Sequence, residues 1–216
     1  MYNNFGGEEF RYNKSQKYIT IDFETESLNL LEKNRPWQVA AITATGFNVE
    51  EVITRYISWP DIDVSKDAAR ITGFNIMTIQ QQGESSLKVL NWLDEYIYNP
   101  EYKILWFNGL NFDTYIHNIW RQECGFPPDY SYIPRSIDVN ALLKAYKLNI
   151  KMKPNEDMIG FQYRFCNFHQ RGLKTNLGQA CKDLGIPQEE GRFHDAAYDT
   201  LQTFKVFEGI VKVMDI

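Results

Sequence analysis

The chain has 216 residues, 44% apolar and 24% charged, with a formal charge of −5, a length that suits one domain with a sizeable core. Its acidic balance excludes a protein that coats nucleic acid through bulk positive charge. Clustered acids that hold cations would lower the net charge in the same way, so the balance leaves cation-dependent chemistry open. No apolar run reaches the roughly 20 residues a membrane-spanning helix needs. The three cysteines, Cys124, Cys166 and Cys181, are odd in number and widely spaced, which argues against a disulfide framework. A cytoplasmic setting is expected.

Residues 1–16 are polar and lack a signal-peptide core, so a flexible lead-in to a single domain over 17–216 is expected. Strand is predicted over 17–23, with Ile19 and Ile21 on one face and Thr20 and Asp22 on the other. Two further strands, 37–44 and 52–59, flank the turn-like Gly46-Phe47-Asn48. Three strands with short connections suggest an antiparallel meander. Apolar residues then recur at helical spacing over 85–97. A buried strand over 103–107, a helix over 111–122 and a strand over 136–139 follow. Helices over 141–146, 175–184 and 196–213 complete the chain. Three strands first and then alternating helices and strands imply an α/β fold, one mixed five-stranded sheet flanked by helices.

Three short blocks carry the chemistry. Asp22 and Glu24 are two apart in a strand, so both side chains leave the same face while Phe23 turns to the core. Alone, such a pair reads best as a solvated strand end. Asp113 opens a helix after Asn-Gly-Leu-Asn-Phe, where an acid can simply answer the helix dipole. His194 and Asp199 straddle a helix start for which Asp195 is the natural cap. The histidine then sits on the incoming loop and Asp199 about one turn into the helix.

Together the blocks say more. Carboxylates about 4 Å apart repel by roughly 4 kcal/mol per pair at an effective dielectric near 20, so a fold gathers four only with compensating protons or cations. Oxygen-only ligands favour Mg²⁺ or Mn²⁺ over zinc. A zinc half-site can be drawn through Cys166 and His169, but no second half has matching spacing. Between positions 144 and 174 lie seven basic residues against two acidic ones, interleaved with Phe161, Tyr163, Phe165 and Phe168. This segment reads either as a groove for a single strand or as a surface loop with core aromatics. In the first reading Lys151, Lys153 and Arg164 would hold the strand.

The three blocks resemble the signature of the DEDDh group of 3′–5′ exonucleases, in the DnaQ-like, ribonuclease-H-like superfamily. The pattern is nearest in flavour to the catalytic domain of bacterial exonuclease I. The likeness runs from about Tyr18 to Val211 and takes in Gln38-Val39-Ala40-Ala41, Ile71-Thr72-Gly73-Phe74 and Asp138. Ser27 and Gln38 depart from the residues many members carry there. The resemblance implies two Mg²⁺ or Mn²⁺ ions held by Asp22, Glu24, Asp113 and Asp199, with His194 as general base. It also implies substrate contacts from Thr25, Leu28 and Asn108, and single-stranded DNA as the partner. RNA 3′ ends are the alternative substrate, and a non-catalytic nucleic-acid-binding module is the reading from another class.

Overall fold

The computed structural model describes residues 12–30, 33–153, 155–189 and 195–214. A mixed six-stranded sheet runs β4-β3-β2-β1-β5-β6. Strand β1 (Lys17–Thr25) pairs antiparallel with β2 (Pro36–Thr45), and β2 with β3 (Asn48–Ser58). On its other side β1 pairs parallel with β5 (Tyr102–Trp106), and β5 with β6 (Ser136–Asp138). The five expected strands are joined by a sixth, the two-residue β4 (Glu84–Ser85), parallel to the end of β3. Two residues are too few for any periodicity to announce them.

Alternation along β1 divides its side chains between two cores. Ile19, Ile21 and Phe23 pack with α3 (Ser86–Ile97) and α4 (Asp113–Glu123) around Trp106 and Trp120. The opposite face carries Tyr18, Thr20, Asp22 and Glu24. Over the core on that side lie α5 (Val139–Lys147), α6 (Met158–Cys166), α7 (Leu177–Asp183) and α8 (Ala196–Met214). Helix α8, the longest, lies against β1 and β2, with Ala196 fully buried. Its first residues therefore pass beside the acidic end of β1.

Three helices had no clear sequence signal. Between β3 and β4, α1 (Lys66–Thr72) buries nothing and α2 (Ile76–Gln82) buries only Ile79, so neither carries an apolar stripe. Helix α6 spans the aromatic run read above as a candidate strand groove. Its Phe161 and Phe165 lie in the core. Of the lead-in expected over 1–16, residues 12–16 are described, and they are docked. Tyr12 stacks on Phe47 at 4.1 Å, and Gln16 reaches the Glu101 carbonyl. Among the described residues no helix is long and apolar enough to cross a membrane.

A buried ion pair closes the loop after β1. Arg35 and Glu26 are 3% and 4% exposed. Arg35 Nη2 and Nε donate to the two oxygens of Glu26 at 2.6 and 2.9 Å. Glu26 Oε1 also accepts from the Asp63 backbone at 3.0 Å, and the Glu26 carbonyl accepts from Ser65, the cap of α1. The pair thus ties the exit of β1 to α1. Arg35→Ala is expected to cost about 3–5 kcal/mol, because it leaves a carboxylate buried without its partner. Urea unfolding of the purified variant measures this.

Candidate active site

Asp22 and Glu24 stand on the α8 face of β1, opposite Ala40 and Gln38 of β2. The β1–β2 register shifts between Glu24 and Thr25, so the strand is irregular where the acids leave it. The small Ala40, fully buried across from Asp22, leaves that face open.

Asp113 arrives from the other side of β1 through the turn after β5. Asn108 takes a left-handed conformation, φ 69°, one that asparagine tolerates better than most residues. Gly109 follows with its Cα against Trp106, where a Cβ would fall 2.5 Å from the tryptophan Cβ. Asp138, at the end of β6, fastens this turn. It is 1% exposed, and its carboxylate accepts from the backbone of Asn108 and Leu110, each at 3.2 Å, and of Ala141 at 3.0 Å. One side chain thus caps α5 and holds the turn that delivers Asp113. The likeness to the family's strand-closing acid located Asp138; its threefold grip comes only with the coordinates.

The third block enters on α8. Asp195 caps the helix, accepting from the Tyr198 backbone at 2.9 Å, as its position ahead of Ala196 led us to expect. Asp199 lies one turn in, its N–H bonded to the Asp195 carbonyl. His194 falls outside the described residues.

The carboxylates act on one another. Burial raises Asp22 well above the ordinary carboxylate range, and the charges of Asp113, Glu24 and Asp199 push the same way. Glu24 is pushed up to about 8 by burial, then by Asp199, Asp113 and Asp195. Asp113 is raised to about 7, chiefly by burial, with Asp138 adding and the backbone N–H groups of Asp113 and Phe23 opposing. Phe23, whose backbone opposes the rise of Asp113, sits between Asp22 and Glu24 on β1. All four acids therefore share one electrostatic neighbourhood. Among the described residues no three carboxylate, imidazole or thiol groups are drawn together tightly enough to hold a metal ion as they stand.

Two cavities flank this centre and meet at Phe112. The larger, about 830 Å³, opens between Asp22, Asp199 and the α6–α7 segment, and Asn108, Asn167, His169 and Arg171 are in its wall. The smaller, about 440 Å³, lies beyond Glu24 and is walled by Thr25, Leu28, Ala68 and Ile71. Leu28 is 82% exposed over this second cavity. The Thr25 hydroxyl donates to the Ser27 carbonyl at 2.7 Å.

The basic residues fall differently from the strand-groove reading. Lys151, Lys153 and Arg164 are absent from the wall of the large cleft. Arg164 pairs with Glu156 at 2.6 Å and lies over the buried rings of Phe161 and Phe165, so its charge is matched away from the cleft. Lys144 and Arg171, two of the seven basic residues of that segment, do line the cleft, with His169 and a group of carboxamides, Asn108, Asn111, Asn140 and Asn167. Counting charge along the chain could not separate an arginine already paired from one facing the cleft. Cys166 is buried with its thiol pushed up to about 12.

No protein-family model and no curated protein matches this sequence. Solved structures do match. The zinc-bound complex of Escherichia coli exonuclease I with single-stranded DNA superposes with a TM-score of 0.72 at 22% identity, covering 92% of this chain and 41% of that one. The complex of the same enzyme with a dA16 oligonucleotide gives 0.70 at 22% identity over the same shares, and the apo structure of exonuclease I gives 0.70 at 22%. The chain spans about 41% of the length of the exonuclease I chains it matches. Along that stretch it has their fold, the mixed sheet with helices on both faces expected of a ribonuclease-H-like protein.

Proposed function

We propose that this chain is a 3′–5′ exonuclease that hydrolyses single-stranded DNA from its 3′ end and releases nucleoside 5′-monophosphates. One observation carries the reading. Asp113 and Asp199, arriving on two different helices, both push up the carboxyls of Asp22 and Glu24 on β1. A fold has no structural use for such an arrangement, which costs stability at neutral pH. The likeness to exonuclease I, whose solved forms include complexes with single-stranded oligonucleotides, supports the same conclusion.

The donor set fits hard divalent cations, being made of carboxylate oxygens beside an open cleft. Asp22, Glu24 and Asp199 would hold one Mg²⁺ or Mn²⁺, and Asp22 with Asp113 a second. When bound, such a pair lowers the pKa of a water and steadies the departing 3′-oxygen. The chain's own residues do the rest. Asp138 keeps Asp113 aimed at β1 through its grip on the 108–110 backbone. The apolar wall of Leu28, Ala68 and Ile71 offers the terminal base a dry face, and the backbone near Thr25 offers polar atoms to the 3′-hydroxyl. Arg171 and His169 face the cleft along which the remaining strand runs.

His194 would accept the proton of the attacking water, a task that suits an ordinary imidazole pKa. His194→Ala is expected to slow hydrolysis by about 10²-fold or more with an unchanged melting temperature. Turnover equal to the parent's would remove the assignment. The reaction class is tested with 5′-labelled single-stranded DNA, duplex DNA and RNA, each with Mg²⁺, Mn²⁺ or chelator. A cation-dependent ladder shortening from the 3′ end of single-stranded DNA supports the proposal. A ladder on RNA alone transfers it to the ribonucleotide substrate, and intact strands under every condition refute it.

A further inference from the structure

Beside the cleft three tyrosine rings stand open on one face. Tyr115 of α4, Tyr130 in the following loop and Tyr163 of α6 are 45%, 44% and 43% exposed. The rings of Tyr115 and Tyr130 meet edge to face with centroids 6.3 Å apart. Burial raises the Tyr163 phenol, and the neighbouring phenols of Tyr115 and Tyr130 push it the same way, so the three share one neighbourhood. Large aromatic side chains scattered singly over a surface need no explanation, but a cluster of three does.

The cluster continues the cleft. Asn111 Nδ2 donates to Asn167 Oδ1 at 3.1 Å, joining the turn before α4 to the end of α6, and both asparagines line the cleft. Tyr115 lies four residues beyond Asn111 and Tyr163 four before Asn167. Tyr163 therefore stands about one helical turn, roughly 5–6 Å, back along α6 from Asn167, and Tyr115 stands in the first turn of α4, which Asn111 leads into. The nearby arginines are already engaged, Arg121 with Asp94 and Arg164 with Glu156. Among the described residues the two helices that carry Tyr115 and Tyr163 thus offer ring surface without an uncommitted guanidinium group, which suits bases better than phosphates.

We propose that Tyr115, Tyr130 and Tyr163 form a stacking platform for bases of a single strand that lie upstream of the 3′ end. The position of that end rests on the nuclease reading above; the binding of bases does not. A π-face accepts any base, so the platform holds strands without reading their sequence, and stacking releases no counterions.

The test is equilibrium binding of labelled oligonucleotides in chelator, where no cleavage occurs, to the parent, a triple Tyr→Leu and a triple Tyr→Phe variant. Thymidine and uridine strands of about 12 nucleotides, near the span such sites cover, are compared with trinucleotides. The leucine variant is expected to bind the long strands about ten- to a hundredfold more weakly, with an unchanged salt slope, and trinucleotides as the parent does. The phenylalanine variant, which keeps the rings, is expected to bind like the parent. Equal binding by leucine and parent proteins overturns the platform, as does a loss shared by the phenylalanine variant or a parent that binds no strand. Cleavage is scored separately with cation. A parent that stacks long strands but degrades none would defeat the nuclease reading and leave the platform standing.

Discussion

Purified Asp22→Asn is expected to lose at least about 10³-fold in hydrolysis, the upper range for removing one preorganised electrostatic contact. It is also expected to melt at a higher temperature than the parent in chelator at neutral to alkaline pH. The two effects share one cause. Asp22 feels burial and the charges of Asp113, Glu24 and Asp199 together. Asparagine keeps the shape and removes one like charge, so the folded state gains on the order of 1–3 kcal/mol. A residue kept for stability would behave in the opposite way. Activity is followed by release of labelled 5′-mononucleotide and stability by thermal unfolding of the same preparations. Loss of activity together with a lower melting temperature would mean that Asp22 holds the fold and that the proposed role is wrong.

Local pattern placed most of the elements that carry this site. The alternation in β1 predicted that Asp22 and Glu24 share a face and that Phe23 leaves it, and Phe23 does meet Trp120 edge to face at 6.1 Å. Asp195 was legible as a cap because a short acid directly before a run of helix formers has one obvious local use. Contacts between distant segments were less accessible. The basic residues of 144–174 read equally as a groove or as a surface loop, and they divide: Arg171 and Lys144 line the cleft, Lys144 also donating to the carbonyls of Phe165 and Cys166, while Lys147 is paired with Asp183. Charge counted in one dimension says nothing about which partner neutralises it. Helices α1 and α2 escaped because helices that bury almost nothing lack the periodic stripe by which a helix is recognised. The Glu26–Arg35 pair escaped because its two ends flank a loop and become partners only when that loop closes.

Melting temperature as a function of pH and cation gives the second large effect, and its sign follows from the raised carboxyls. Unfolded, Glu24 and Asp113 ionise in the ordinary range near pH 4; folded, they hold their protons to about 8 and about 7. The folded state therefore binds more protons across that interval, and its stability falls as pH rises. This contribution is fully present below the unfolded values and is lost as pH climbs through the folded ones. In chelator the parent is thus expected to melt lower at about pH 8 than at about pH 5.5, by an amount on the order of a few kcal/mol. Divalent cations reverse the trend because they bind the ionised form. At about 100 times its dissociation constant a cation adds about 2.7 kcal/mol, which is roughly 5–10 °C for a chain of this size. Mg²⁺ or Mn²⁺ is therefore expected to raise the melting temperature strongly at the higher pH and little at the lower. Potassium at matched ionic strength should not imitate it, and Asp22→Asn should flatten both dependences. A cation shift that is the same at both pH values would mean that the ion binds elsewhere. A chelator profile that does not decline over this interval would mean that these carboxylates do not confront one another in solution.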